Sequence, residues 1–224
     1  IKIKNQLELK NVCLARKDKN DLILKNVNFI IKRGSVVGIN GDTGSGKSTL
    51  LDIITGFLIP TSGEVVIDNH EIVKLNKSWF SNISYISQNI NLISDSLTKN
   101  IALLVKEEDV NHKHVDEAIV LSQLSNLVKN STEGKDQFVG ENSIKVSGGE
   151  KQRIGIARAF YFNRDINIFD ESTNAIDEKT ESVIMNNIKK TFNNKFTIII
   201  SHKKETLKHC DQIYNLKDGI LSNA

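Results

Sequence analysis

The run Gly41-Asp42-Thr43-Gly44-Ser45-Gly46-Lys47-Ser48-Thr49 lies between Val36-Val37-Gly38-Ile39 and a segment carrying Leu50, Leu51, Ile53 and Ile54. The first flank is an apolar run of strand length. The second repeats its apolar residues at helical spacing up to Gly56, placed as a helix-stopping glycine. A glycine-rich loop in that setting turns its N–H groups inward around an anion, and the helix N-terminus adds partial positive charge. Lys47 is then expected to reach the β- and γ-phosphates of a nucleoside triphosphate, with the Ser48 hydroxyl offered to Mg²⁺.

Two further segments follow in order. Val146-Ser147-Gly148-Gly149-Glu150-Lys151-Gln152-Arg153 precedes the helix-like run Ile154-Gly155-Ile156-Ala157-Arg158-Ala159-Phe160, and Ile166-Asn167-Ile168-Phe169-Asp170-Glu171 is a strand ending in two carboxylates. Together the three segments resemble the Walker A loop, signature and Walker B strand of ABC ATPases, and the resemblance spans essentially all 224 residues. It implies an α/β fold of the P-loop NTPase, RecA-like type: a parallel-sheet core with an antiparallel β subdomain and a helical subdomain. The cofactors it implies are ATP and Mg²⁺.

Hydrolysis of a triphosphate requires a held γ-phosphate, neutralised charge and an aligned water. Asp170, at the carboxyl end of a buried strand, can hold Mg²⁺ through water, and Glu171 can orient or deprotonate the attacking water. The resemblance supplies further roles. Gln88 matches the Q-loop glutamine that touches Mg²⁺, and His202, after Thr197-Ile198-Ile199-Ile200-Ser201, matches the switch histidine at the γ-phosphate. Ser172 to Asp177 resembles the D-loop, with Asn174 in place of the commoner serine. Ser147, Gly148, Gly149 and Glu150 would act on ATP held by the P-loop of a second copy, giving an ATP-dependent head-to-tail dimer.

The sequence departs from the family pattern at three further places. Arg16 stands where exporters usually carry an aromatic residue against adenine; a guanidinium plane can also stack, and nucleotide selectivity stays open. Glu150 replaces the commoner glutamine. Asn167 places an amide in a strand that is usually apolar, and if buried it must be hydrogen-bonded.

Residues 1–40 read as strands, with a polar loop from Arg16 to Asp21 and a turn at Lys32-Arg33-Gly34. Pro60 to Gly63 reads as a turn before a strand from Glu64 to Asp68, and another strand covers Ile83 to Ser87. From Gln88 to about Arg158 the pattern is helical, with Val115, Ala118, Ile119, Leu121, Leu124 and Leu127 marking one face. His112-Lys113-His114 reads as surface loop. Phe196 to Ile200 is a strand buried on both faces, flanked by helices at roughly Glu178 to Lys190 and Lys204 to His209. The expected organisation is one domain over 1–224, with a catalytic core and β subdomain from 1–87 and 156–224 and a helical subdomain at 88–155.

A net charge of +3, 25% charged residues and 6% aromatics give no basic, aromatic-interleaved face, so nucleic acid is not an expected partner. Cys13 and Cys210 stand alone in sequence and indicate no disulfide framework or zinc site. No run of roughly 18 apolar residues is present. The chain begins at Ile1 rather than Met, so a longer polypeptide is expected.

Phe138-Val139-Gly140-Glu141-Asn142 resembles the exporter-type X-loop, and Leu75 to Gln88 and Leu97 to Ile101 are also similar to exporter sequences. The resemblance implies an exporter ATPase at the cytoplasmic face of a membrane, joined to transmembrane domains in the same polypeptide. The competing classes are a soluble ATPase of the same family and a nucleotide-binding switch without transport.

Overall fold

The computed structural model describes residues 3–16, 21–68, 70–71, 77–140 and 146–224. The chain opens with β1 (Gln6–Ala15), β2 (Leu22–Lys32) and β3 (Val36–Asn40), which leads into α1 (Lys47–Thr55). Next come β4 (Ser62–Ile67), β5 (His70–Glu71), α2 (Lys77–Phe80) and β6 (Ile83–Ile86). The middle holds β7 (Asp95–Ser96), α3 (Leu97–Ile101), α4 (His112–Leu121), α5 (Ser125–Lys129) and β8 (Phe138–Val139). The remainder is α6 (Gly148–Phe162), β9 (Ile166–Asp170), α7 (Glu178–Thr191), β10 (Phe196–Ile200), α8 (Lys204–Leu207), β11 (Gln212–Lys217) and β12 (Ile220–Asn223).

Strands β11, β3, β10, β9 and β6 pair in parallel in that order, with β12 antiparallel on the edge beyond β11. Every residue of β10 is buried, as is all of β9 except Asp170, which explains their unbroken apolar sequences. A second, antiparallel sheet runs in the order β2-β1-β4-β5. The fold is therefore a P-loop NTPase core with an antiparallel β sheet and a group of helices beside it.

Two apolar cores organise these layers. The first joins α1 (Leu50, Leu51, Ile53, Ile54) to the β strands and to Trp79, whose Nε1 donates to Thr55 O at 3.0 Å. The second collects Val115, Ala118, Ile119 and Leu124 with Ile154, Ala157, Phe160 and Phe192. Phe192 links this core to the sheet, stacked on Phe160 at 5.4 Å and tilted against Phe169 at 6.4 Å. Helix α6 runs unbroken from Gly148 to Phe162, through residue 155.

Local details differ from the sequence expectation. The strand expected from Glu64 begins at Ser62, because Cys13 of β1 is still paired there. His112 to His114 form the first turn of α4 rather than a loop, since the Asn111 side chain accepts from His114 N at 3.2 Å and caps it; all three stay exposed. The β7–β8 pair inside the helical region and the hairpin β11–β12 carried no clear sequence signal. Asn167 is buried and donates from Nδ2 to Arg164 O at 3.0 Å, while its Oδ1 has no partner among the described residues. Leu75, Glu141 and Asn142 lie outside the described residues.

Gly155 of α6 packs against β6 and the segment after it: a Cβ built there would stand 2.5 Å from Ile90 Cδ1 and 3.2 Å from Ile86 Cγ2. Gly155→Val should therefore cost about 1–3 kcal/mol through overpacking. Urea denaturation measures it, and an unchanged midpoint would show that the contact is soft.

Candidate functional site

Parallel pairing brings four strand ends to one edge of the sheet. Ile39 pairs with Ile200, and Ile200 with Asp170, so the loop after β3, Asp170 and Glu171 after β9, and His202 after β10 emerge side by side. β6 is in register with β9 and delivers Gln88 to the same edge. A cleft of about 590 Å³ opens there, lined by Arg16, Ile23, Thr43, Gly44, Gly46, Lys47, Ser48, Thr49, Gln88, Asp170 and Glu171.

The loop is built for close approach. Gly46, the N-cap of α1, sits at φ 106, a conformation that side-chain-bearing residues rarely adopt. A Cβ on Gly41 would stand 2.3 Å from Leu216 O. Lys47 is 9% exposed and curls back so that Nζ donates to Gly41 O and, at 3.0 Å, to Asp42 O. Ser45 is 8% exposed and its hydroxyl has no partner among the described residues, an orphan polar atom in a loop otherwise shaped around an anion.

The carboxylates are held individually. Glu171 Oε2 accepts from Gln88 Nε2 at 3.1 Å and from Asn174 Nδ2 at 3.0 Å, and Oε1 lies 3.0 Å from His202 Nε2. Glu171 itself takes φ 48, with its N–H donating to Ile200 O at 3.0 Å. His202 Nε2 is also 3.4 Å from Lys47 Nζ. One ring nitrogen cannot donate to Glu171 and accept from Lys47 at once, so His202 stands between a carboxylate and an ammonium with a proton it can commit to only one arrangement. Asp170 Oδ2 accepts from Tyr85 OH at 2.7 Å. Burial pushes the Asp170 carboxyl up; the Tyr85 hydrogen bond pulls it back, Glu171 adds to the rise, and Lys47 opposes it.

Ser48, Gln88 and Asp170 line the same cleft and present a hydroxyl, an amide and a carboxylate, the hard oxygen donors suited to Mg²⁺. Gln88 commits its Nε2 to Glu171, which leaves its amide oxygen for a cation.

Ser147, Gly148, Gly149 and Glu150 are elsewhere and line no wall of this cleft. Ser147 caps α6: its hydroxyl accepts from Glu150 N at 3.2 Å, and Glu150 Oε2 takes the Ser147 N–H at 2.7 Å and the hydroxyl at 2.8 Å. Gly149 packs against the segment after Glu171, where a Cβ would stand 2.8 Å from Ala175 O.

Tyr85, Asn174 and Ile23 contribute to the cleft or its carboxylates without having been marked as site residues by the sequence. The polar tip of Tyr85 between Ser84 and Ile86, and the D-loop resemblance around Asn174, are the hints the sequence offers.

A family model described as ABC transporter matches residues 24–174. The chain is 36% identical over 221 residues to the alpha-hemolysin translocation ATP-binding protein HlyB of Escherichia coli O157:H7, covering 98% of this chain and 31% of that protein. It is 37% identical over 218 residues to the leukotoxin translocation ATP-binding protein LktB of Pasteurella haemolytica-like sp. (strain 5943B), covering 97% and 30%. A solved structure of a bacterial Atm1-family ABC exporter with ATP bound superposes with a TM-score of 0.90 at 30% identity, over 99% of this chain and 39% of that one. The chain thus spans about a third of the length of the curated relatives it matches.

Asp170 is a liability to the folded chain itself. Its raised folded-state value means that stability present at acid pH is lost as the pH rises from the ordinary 3.8 through the raised value. Asp170→Asn removes this penalty while keeping an acceptor for Tyr85. The melting temperature at pH 7 should rise. The gain should vanish toward pH 4, and a variant that melts lower at pH 7 would contradict the assignment.

Proposed function

Because the chain belongs to the ABC transporter family, we propose that it is the ATP-binding and ATP-hydrolysing part of an exporter, driving export by ATP-dependent head-to-tail dimerisation. The observation that carries this reading is the Glu171 carboxylate, held by Gln88, Asn174 and His202 at the mouth of the glycine-loop cleft. A carboxylate steered in that way is placed to act on a water rather than to stabilise the fold.

Each residue has a task in phosphoryl transfer to water. The N–H groups of residues 41–49 cradle the phosphates, and Lys47 exchanges its bonds to the loop carbonyls for β- and γ-oxygens. Ser48, Gln88 and Asp170 would hold Mg²⁺, which when bound neutralises charge on the β- and γ-phosphates. Glu171 orients the attacking water and takes its proton. His202 gives its Nε2 hydrogen to the γ-phosphate and so lets go of Glu171, linking substrate arrival to release of the base.

The signature residues stand outside their own chain's cleft, which supports their use in trans. Ser147, Gly148 and Gly149, at the N-terminus of α6, meet the γ-phosphate held by a second copy, and Glu150 fixes the Ser147 hydroxyl until then. The organisation we propose is a catalytic core with β subdomain (1–87 and 156–224) and a helical subdomain (88–155). Transmembrane domains in the same polypeptide are the partner that converts dimer closure into transport, with this domain on the inner side of the membrane. No helix among the described residues is long and apolar enough to cross a bilayer, so the spanning segments belong to another part of the assembly.

Glu171→Gln should keep ATP binding, lower hydrolysis roughly 100-fold or more, and accumulate a dimer seen by light scattering at saturating Mg-ATP. Lys47→Ala should lose nucleotide binding and stay monomeric. A Glu171→Gln protein that remains monomeric with ATP bound would sink the head-to-tail reading.

A further inference from the structure

The turn at 172–176, directly after Glu171, is pinned by side chains that line no part of the cleft. Lys203 Nζ donates to Thr173 O at 2.9 Å and to Ile176 O at 3.3 Å, and lies 2.9 Å from Glu181 Oε2 on α7. From the other side, Gln152 Oε1 of α6 takes the Ala175 N–H at 2.8 Å. An ammonium carries three donors and no acceptor, and here three oxygens meet them. Glu181 is 4% exposed, and its second oxygen accepts from the Thr206 hydroxyl at 2.5 Å. The root of Lys203 is fixed as well: its N–H donates to Ser201 Oγ at 3.0 Å, and its carbonyl accepts from Leu207 N at 3.2 Å.

Stability alone is a poor account of this arrangement. Taking a carboxylate out of water and drawing an ammonium in beside it costs desolvation that their attraction roughly offsets, and an apolar pair of similar volume holds a fold as well or better. What the ion pair supplies is direction. An apolar side chain at position 203 would fill space without fixing the carbonyls of Thr173 and Ile176. Those two carbonyls flank Asn174, whose Nδ2 reaches Glu171 Oε2 at 3.0 Å. With the backbone on either side of Asn174 held, its amide is aimed at one oxygen of the carboxylate.

We propose that Lys203, itself held by Glu181, is a positioning residue for hydrolysis: it sets the turn at 172–176 so that Asn174 orients the Glu171 carboxylate. The proposal rests on the reading of Glu171 as the group that acts on water. Because Lys203 lies outside the cleft, its loss slows turnover and leaves nucleotide binding in place.

Steady-state ATP hydrolysis and calorimetric titration with Mg-ATP test this on Lys203→Met/Glu181→Gln, a pair of substitutions that leaves no uncompensated charge buried. kcat should fall roughly 10-fold or more, the scale on which misplacement of a reacting group acts, while the ATP dissociation constant stays within roughly twofold of the parent chain, as for sites that do not interact. In an Asn174→Ala background the same pair should lower kcat less than about threefold, because the contact it acts through is already gone; independent effects would multiply in full. An undiminished kcat, a fall accompanied by lost ATP binding, or the full fall persisting in Asn174→Ala overturns this proposal and leaves the parent reading standing. A parent chain that binds Mg-ATP and does not hydrolyse it overturns the two together.

Discussion

Parallel hydrogen bonding among β3, β10, β9 and β6 is the constraint on which the rest of this molecule depends. In an antiparallel sheet, successive strand ends would alternate between edges, and a phosphate loop, two carboxylates, a glutamine and a histidine drawn from four strands could not converge. Here the register Ile39↔Ile200↔Asp170 sets three of those ends level to within a residue. The apolar filling of both faces, from α1 and the β strands in one core and from α6 and α7 in the other, is what holds the strands in this register.

The parts legible in the sequence are those whose geometry is local. Residues 41–49 bend around an anion because of glycines within the same stretch, and Asp170 and Glu171 are neighbours on the chain. Phe196 to Ile200 announces a doubly buried strand by composition alone. Gln88, His202 and the signature were legible only because their order along the chain resembles a family. What stayed hidden depends on pairing between distant segments. The hydrogen bond from Tyr85 to Asp170 exists because β6 lies beside β9, and a tyrosine in an apolar strand does not state its neighbour. Asn174 seemed a substitution in a turn, yet it is one of three groups holding Glu171. Strands β7 and β8, two residues each, are too short for any periodicity to reveal.

Functional demand and folding economy pull apart at the tip of β9. Asp170 keeps a carboxylate where burial disfavours its charge, Glu171 holds a left-handed backbone, and Ser172 hides a hydroxyl with no partner among the described residues. Three consecutive residues carry costs that the apolar strands around them offset. Site and scaffold are in this sense one object: the surplus stability of the sheet is what permits the arrangement at its edge.

Helix α6 has a mechanical consequence. Gly155, where the helix packs tightly against Ile90 in the segment after β6, lies seven residues from Gly148 and seven from Phe162. At about 1.5 Å per residue the two arms are each about 10 Å long. A rod that touches its support near its midpoint acts as a balance beam: a tilt lifting one tip lowers the other by the same distance, with neither amplification nor loss. Displacement at the Gly148 tip would arrive undiminished at the Phe162 tip, two residues beyond Phe160, which stacks on Phe192 beneath the sheet.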